Sequence, residues 1–533
     1  MTAPDDNPLA AAIATAGEPE LPLADNRQLA DLPRNDYGNG QRLIARRGRD
    51  LMWVQGIGWF VWDGRRWQHT PGHRDGPGPE AMKLAHLTAE AIHDEAEALK
   101  GEAPLLPAKD DESDEAKRQR DRHAAWMKRG AGHHKFAIAS GNAGRCAAML
   151  SSAAPYLWRR VEDLNRDPLL ITCLNGTIEL TRDGAVLREH RREDFITLLA
   201  PVEYDPKAVC PKFTAFLAQM QPREERRIFV LYWAGYSITG LTGEQAITFF
   251  IGHEGANGKS TFLQCVADVI GEYGVNVPIE TFLFNDRKRG GDASPDLARL
   301  PHRRFVKTSE PEAGARFSES VVKQMTSGES ITVRPLYGSP FEFYPTFKMT
   351  VAANTRPIIK GSDGGIWRRI HVVPWDVTIP KEKRDAGLLA TLLRDERAGI
   401  FTVLVTYACA YLQDGRLPAA ASVDAETDMY RHDSDPLGEW LAACTVGGPN
   451  AEWTSAARLY GSYCRWCRAS ALTPVTDNLF GRLLRDKGIP KRVPKTTEYQ
   501  VQIVIDDFGT GESSEKSSDE SSAGPPGPEP PPY

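Results

Sequence analysis

One glycine-rich stretch of this 533-residue chain has the residue types and spacing to bind phosphate groups. It follows an apolar run, residues 247–251, that predicts a buried strand, and it leads into a segment that predicts a helix. In such a turn, backbone N–H groups surround phosphate oxygens, a lysine brings positive charge to the outer phosphates, and a serine hydroxyl can bind Mg²⁺. The helix N-terminus adds a partial positive charge. We therefore expect ATP and Mg²⁺ to bind at Gly255, Asn257, Gly258, Lys259, Ser260 and Thr261, with Ser260 on the metal.

The stretch departs from the usual pattern at one position. The pattern asks for a glycine five residues before Gly258, and the residue there is His253, with Gly252 one place earlier. A chance glycine-rich turn is the alternative. The preceding strand and the intact Gly-Lys-Ser favour nucleotide binding.

An acidic residue ends a later candidate strand. Residues 305–310 predict a strand that ends in an acid, Glu310. A carboxylate in this place can hold the Mg²⁺ shell and polarise an attacking water molecule. Lys307 inside the strand and a second acid, Glu312, leave a solvated turn as the alternative.

Two more polar positions follow within about 110 residues of the lysine. Residues 346–353 predict a strand that ends in Asn354, whose amide can orient water beside the γ-phosphate. Arg368 and Arg369 follow a glycine-rich turn. Arginine stabilises charge on a transferring phosphoryl group, often from a neighbouring subunit, although a pair of arginines is usually surface charge.

The order and compactness of these four elements resemble the superfamily III helicases, ring-forming relatives of the AAA+ ATPases. The closer resemblance is to the primase-helicases encoded by phages, plasmids and poxviruses. It rests on the runs at residues 309–312, 333–338, 353–357 and 367–369. Residues 174–213 resemble the domain that precedes the helicase in that family, and residues 459–484 resemble its winged-helix module.

The resemblance implies roles for individual residues. Lys259 and Ser260 would bind nucleotide and Mg²⁺, Glu310 would be the catalytic acid that also contacts the metal, and Asn354 would be the sensor. Arg368 or Arg369 would be the arginine finger. It also implies a homo-oligomer, a hexameric ring that acts on single-stranded DNA and forked duplex.

Candidate DNA contacts lie in two places. Residues 331–334 and 341–344 flank a turn, which is similar to the hairpin that such helicases project into their central channel. The candidates there are Lys323, Arg334 and Tyr337, and a purely structural hairpin is the alternative. In the C-terminal module, basic residues between a helix and a strand suit duplex phosphates, with a surface of mixed charge as the alternative. The candidates there are Lys487, Lys491 and Arg492.

Composition limits the class of protein. Hydrophobic residues make up 41% of the chain and charged residues 26%, as in globular proteins, and the net charge of −6 argues against binding nucleic acid by bulk charge. The eight cysteines show no disulfide spacing, and a structural role is favoured over zinc for the one CxxC, Cys464 to Cys467. We expect no signal peptide, no membrane span and a cytoplasmic location, the host cytoplasm if a phage encodes the chain.

The expected fold is α/β, with an AAA+-like superfamily III helicase core, an α+β N-terminal region and a C-terminal winged-helix domain. The predicted segments are a disordered tail (1–35), the α+β region (36–225), the ATPase core (226–384), a helical connector (385–435), the winged-helix-like domain (436–506) and a second disordered tail (507–533).

The function expected from these features is that of an ATP-driven replicative DNA helicase. Two alternatives remain: an ATPase that remodels or loads replication proteins, and a DNA-binding initiator whose nucleotide site switches assembly. Residues 36–225 have no Cys/His cluster, so we expect a separate primase or other replication proteins as partners. Asp110 and Asp111 could mimic a metal-binding carboxylate pair, although a solvated loop is the favoured interpretation of this charge-dense segment.

Overall fold

The computed structural model describes residues 25–506 except 73–75, 285–293, 309, 311–314, 336–339, 360–363, 436 and 471. Most of the two predicted tails, together with Glu312 and Tyr337, therefore lies outside the described residues. The described residues form two compact units, residues 25–359 with 365–428, and residues 429–506. The finer boundaries at 225/226, 384/385 and 435/436 stay predictions.

The first unit begins with helices and a small sheet. The helices are α1 (Asn26–Leu29), α2 (Asp36–Arg47), α3 (Pro79–Gly101), α4 (Asp114–Ser140) and α5 (Ala143–Ala153). The sheet has the order β3-β2-β1-β4, from β1 (Leu51–Val54), β2 (Gly58–Trp62), β3 (Trp67–His69) and β4 (Trp158–Arg159). Trp59 and Trp67 are buried in this sheet, whereas Trp53 and Trp62 are half-buried.

A three-stranded antiparallel sheet follows. It consists of β5 (Leu170–Cys173), β6 (Gly176–Thr181) and β7 (Gly184–Arg188), in chain order. Cys173 pairs with Gly176, so the two residues of the hairpin turn are Leu174 and Asn175, one place before the Asn175-Gly176 turn that this dipeptide predicts, and Gly176 begins β6.

A five-stranded parallel sheet forms the centre of the first unit. Its strands are β8 (Ile247–Ile251), β9 (Gly274–Val277), β10 (Phe305–Thr308), β13 (Lys348–Ala353) and β14 (Ile370–Pro374), in the spatial order β14-β8-β13-β10-β9. Every residue of β8 is buried, as expected for a parallel strand covered on both faces. The alternation of strand and helix predicted this mixed α/β fold with a parallel sheet, and the prediction is confirmed.

Helices and one hairpin surround this sheet. The helices are α6 (Pro211–Met220), α7 (Glu224–Ile238), α8 (Lys259–Ile270), α9 (Glu319–Thr326), α10 (Gly364–Trp367), α11 (Leu388–Asp395), α12 (Arg397–Asp414) and α13 (Ala421–Asp433). The hairpin pairs β11 (Ile331–Val333) with β12 (Phe341–Phe343). Helix α12 packs against α7, and both contribute to one core with the faces of the sheet.

The second unit has its own core. It contains α14 (Gly438–Cys444), α15 (Ala456–Ala469) and α16 (Asp477–Asp486), with β15 (Thr445–Gly447), β16 (Trp453–Ser455), β17 (Lys491–Arg492) and β18 (Glu498–Ile503). Strand β18 pairs antiparallel with the other three. Cys467 of the CxxC is buried in this core beside Tyr463 and Phe480, and Cys464 packs against it.

Among the described residues, every helix is too short or too polar to cross a membrane. Within the same residues, no group of three or more His, Cys, Asp or Glu side chains could hold a metal ion.

Candidate functional site

The phosphate-binding stretch lies between β8 and α8, as the sequence predicts. Gly258 precedes the helix with φ +81°, and an added Cβ would lie 2.8 Å from Met220 Cγ. A side chain at this position would therefore be strained in its backbone and would also collide with α6. Asn257 is buried, and its Nδ2 donates to the Glu254 carbonyl at 2.5 Å.

Gly252 is the glycine that the loop needs for close packing. A Cβ there would lie 2.7 Å from the Trp375 carbonyl oxygen and 2.9 Å from Lys259 Nζ. The same atom on Gly255 would have nothing within 4 Å. The glycine requirement is thus displaced by one residue from the usual pattern, and His253 is exposed. Sequence reasoning noted Gly252 but did not include it among the site residues.

Three predicted residues form one hydrogen-bonded chain at the carboxyl ends of β8, β10 and β13. Lys259 Nζ donates to Asn354 Oδ1 at 3.0 Å and to the Gly252 carbonyl at 3.0 Å. Asn354 in turn donates twice to Glu310, from Nδ2 to Oε2 and from its backbone N to Oε1, both at 2.9 Å. The central strand order brings these residues together, because β13 lies directly between β8 and β10.

The electrostatics of this chain suit an anionic ligand. Lys259 is buried, and burial lowers the pKa of its ammonium while the negative charge of Glu310 raises it. A lysine held in this way has its amine in place before a ligand arrives. Removal from water also strengthens its attraction to phosphate oxygens.

The donors around the loop fit a magnesium nucleotide. Ser260 is exposed at the N-terminus of the 12-residue helix α8, directly after Lys259, and Glu310 is exposed at the other end of the bonded chain of Lys259, Asn354 and Glu310. Mg²⁺ is usually bound by one or two carboxylates together with substrate phosphates, and not by an all-protein cage. One carboxylate and one hydroxyl next to a phosphate-binding turn meet that requirement.

The two candidate arginines lie at the amino ends of the strands, away from the phosphate loop. The Arg369 carbonyl accepts from Ile247 N, at the start of β8, at 2.7 Å. The loop leaves the other end of β8, where Trp375 N donates to the Ile251 carbonyl at 2.6 Å. A strand of five residues separates the two groups by about 13 Å along its length.

Only one of these arginines presents its side chain to solvent. Arg369 is buried, and its Nη1 donates to Thr326, to the carbonyl at 3.1 Å and to Oγ1 at 3.0 Å. Burial lowers the pKa of the Arg369 guanidinium, as does the neighbouring charge of Arg368. Arg368 is exposed, and its Nη2 donates to Gln245 Oε1 at 3.0 Å.

The candidate DNA contacts of the hairpin region differ in their surroundings. Arg334 is exposed at the end of β11, and Lys323 is half-buried on α9. Tyr337 lies outside the described residues.

In the second unit, the three candidate DNA contacts also differ in their surroundings. Lys487 forms an ion pair with Asp435. Lys491 is exposed on β17, and the Arg492 guanidinium lies 4.3 Å from the Trp453 ring centroid and 2.7 Å from Glu498. Two exposed arginines of α16, Arg482 and Arg485, were missed by sequence reasoning. Their spacing of three residues on an amphipathic helix was the available signal.

Comparison with protein families gives two matches in separate parts of the chain. Residues 40–222 match the family described as D5 N terminal like. Residues 250–369, which contain the whole phosphate site, match a family of unknown function, DUF5906.

Related proteins come from large DNA viruses. "Putative helicase L207/L206" of Acanthamoeba polyphaga mimivirus is 26% identical over 302 residues, covering 53% of this chain and 31% of that protein. "Putative primase C962R" of African swine fever virus (strain Badajoz 1971 Vero-adapted) is 24% identical over 321 residues, covering 56% of this chain and 33% of that protein. The chain thus spans about a third of the length of these relatives.

A solved structure, the apo form of the NrS-1 C-terminal region (305–718), is 12% identical with a TM-score of 0.36, covering 56% of this chain and 77% of that chain. Residues 40–222 are thus similar to the D5 N-terminal-like family, and the chain is similar to viral proteins named putative helicase or putative primase. Both likenesses are consistent with the primase-helicase resemblance of its motifs.

Proposed function

We propose that this chain is an ATP-dependent DNA helicase that works as a ring of identical subunits, a hexamer. The observation that carries the proposal is the bonded chain of Lys259, Asn354 and Glu310 at the mouth of a phosphate-binding turn. It holds a cation, an amide and a carboxylate at the carboxyl ends of three strands, where ligands of parallel α/β sheets bind.

In this proposal each residue of the phosphate site has a separate role. Lys259 would bind the outer phosphates of ATP, and Ser260 with Glu310 would hold Mg²⁺. The metal, when bound, neutralises charge on the transferring phosphoryl group. Glu310 accepts a hydrogen bond from the attacking water, and Asn354 keeps the carboxylate oriented through its two bonds to Glu310.

The arginine finger is assigned to Arg368 and acts on the neighbouring subunit. Arg368 lies at the amino end of a strand whose carboxyl end carries the phosphate loop, so it is poorly placed to reach nucleotide bound to its own subunit. Its exposed side chain suits a site in a partner. The buried Arg369 instead ties the same turn to α9.

DNA contacts are proposed on both units. In the first, the hairpin β11–β12 with Arg334 and Lys323 would face the channel of the ring. In the second, the winged-helix-like unit would use Lys491, Arg492 and the exposed arginines of α16 on phosphates.

A paired assay tests the proposal. Purified protein should hydrolyse ATP faster with single-stranded DNA and should unwind a forked duplex only when ATP and Mg²⁺ are both present. DNA-stimulated hydrolysis without unwinding would instead favour an ATPase that remodels or loads replication proteins. ATP binding that changes the oligomer without turnover would favour a DNA-binding initiator.

Primer synthesis is tested in the same preparation. We expect no template-dependent incorporation of labelled nucleotides, so that a separate protein would supply the primase. Incorporation that is lost in Asp110→Ala would overturn this expectation.

A further inference from the structure

Gln245 forms a side-chain hydrogen bond with the exposed Arg368. Its side-chain oxygen accepts from Arg368 Nη2 at 3.0 Å, and its side-chain nitrogen donates to the Ser327 carbonyl at 3.3 Å. Because an amide has one accepting and one donating end, these two partners fix its orientation. The bond to Gln245 occupies one of the five N–H donors of the guanidinium, and four remain for other contacts.

The backbone of Gln245 is in an unusual conformation. Its φ is +52°, in the left-handed region that glutamine rarely adopts. The turn before β8 is fixed on two sides, since Gln245 N donates to the Thr242 carbonyl and Tyr411 donates to Glu244. Strained non-glycine residues cluster at functional sites, where the surrounding structure holds them for a purpose.

The turn that contains Gln245 also links the strand of the phosphate loop to the Arg368-Arg369 pair. Gln245 stands two residues before β8, whose far end carries the phosphate loop. Ser327, its second partner, directly follows Thr326, which binds Arg369. The Arg368-Arg369 pair is therefore connected to the end of α9 by two routes. Arg369 bonds directly to Thr326, and Arg368 is linked to Ser327 through the side chain of Gln245.

We propose that Gln245 is a positioning residue for the arginine that each subunit presents to its neighbour's nucleotide. This inference rests on the proposed function, in which Arg368 acts in trans. A side chain as long as arginine samples many rotamers when it is exposed, and one fixed acceptor restricts where the guanidinium can lie. Misplacement of a catalytic group by about 1 Å can reduce the rate about 100-fold.

Gln245→Gly separates positioning from a purely structural role. Glycine adopts φ +52° without strain, so the melting temperature should stay the same or rise. If Gln245 positions Arg368, kcat should nevertheless fall about 10- to 100-fold while KM for ATP changes little. The matched variant Gln245→Glu keeps an acceptor for Arg368 and should retain more activity than Gln245→Gly.

Subunit mixing tests which site Gln245 serves. A Gln245→Gly subunit has an intact phosphate loop and a poorly positioned Arg368. A Lys259→Ala subunit has a defective phosphate loop and a well-positioned Arg368. Mixed rings should therefore regain ATPase activity, as should mixtures of Arg368→Ala with Lys259→Ala. The double variant Arg368→Ala/Gln245→Gly should be no slower than Arg368→Ala alone.

The outcomes distinguish this inference from the function on which it rests. Near-normal turnover of Gln245→Gly, beside an inactive Arg368→Ala, would overturn the inference and leave the arginine finger standing. The inference is overturned in the same way if Arg368→Ala is rescued by Lys259→Ala and Gln245→Gly is not. Full activity of Arg368→Ala itself would overturn both proposals.

Discussion

Lys259 Nζ donates a hydrogen bond to Asn354 Oδ1 at 3.0 Å across 95 residues of sequence. The bond joins the start of helix α8 to the end of strand β13, and Asn354 extends it to Glu310. A change at any of these three positions should therefore affect the other two, because they share one set of polar contacts.

Lys259→Ala and Glu310→Gln should each abolish ATP hydrolysis, but with different effects on binding. Loss of the ammonium should weaken ATP binding, whereas the glutamine keeps most ground-state contacts and should bind ATP normally. Fluorescent-nucleotide titration beside a steady-state ATPase assay measures both quantities. Near-normal turnover of Glu310→Gln would shift the catalytic role to Glu312.

Gly252→Ala should damage the phosphate loop, and Gly255→Ala should not. The added methyl group at position 252 meets the Trp375 carbonyl oxygen and Lys259 Nζ, whereas at position 255 it meets open space. We expect a loss of about 1–3 kcal/mol in stability and weaker ATP binding for Gly252→Ala only. Thermal unfolding and nucleotide titration of the two variants provide the comparison. Equal behaviour of the pair would show that the close packing is not required.

Arg369→Ala should destabilise the protein, and Arg368→Ala should leave its stability unchanged. Removal of the Arg369 guanidinium leaves buried acceptors on Thr326 without a donor, at a cost of about 1–3 kcal/mol. Arg368 is exposed, so its truncation should change stability by less than about 0.5 kcal/mol while ATPase activity is lost. Urea unfolding measures the first effect. An unstable Arg368→Ala protein would argue against a role confined to catalysis.

The folded protein should lose stability as the pH falls below about 6.5. Burial lowers the pKa of His371 to about 4, against about 6.5 in an unfolded chain. Between these values the unfolded chain binds a proton that the folded protein does not, so folding becomes less favourable by up to about 3 kcal/mol near pH 4. His371→Phe, which keeps a ring against Phe229, should reduce this dependence in urea unfolding at pH 7.5 and 5. An unchanged pH dependence would assign the effect to other groups.

Lys491→Glu should weaken DNA binding, and Lys487→Ala should mainly affect stability. Lys491 is exposed on β17, whereas Lys487 is already paired with Asp435. Charge reversal at a phosphate contact lowers affinity and reduces its dependence on salt. Fluorescence anisotropy with labelled duplex at two salt concentrations measures both. A larger effect on DNA affinity from Lys487→Ala than from Lys491→Glu would contradict the assignment.

The local chemistry of the phosphate loop follows from its sequence, as does the type of each element around it. Gly258, Lys259 and Ser260 are consecutive, so a strand, a turn and a helix start place them correctly without any distant contact. A hairpin near Asn175 and the parallel sheet were predictable for the same reason, since turn chemistry and apolar periodicity are local properties, although the turn itself lies at Leu174 and Asn175.

Long-range packing sets which distant residues meet and which of two similar residues is accessible. The order of strands sets β13 between β8 and β10, and this neighbourhood brings Asn354 to both Lys259 and Glu310. The burial of Arg369 and the exposure of Arg368 depend on how α9 packs beneath them, which no spacing along the chain reveals. Gln245 carries no motif, and its importance follows only from three-dimensional contacts with residues 82 and 123 positions away.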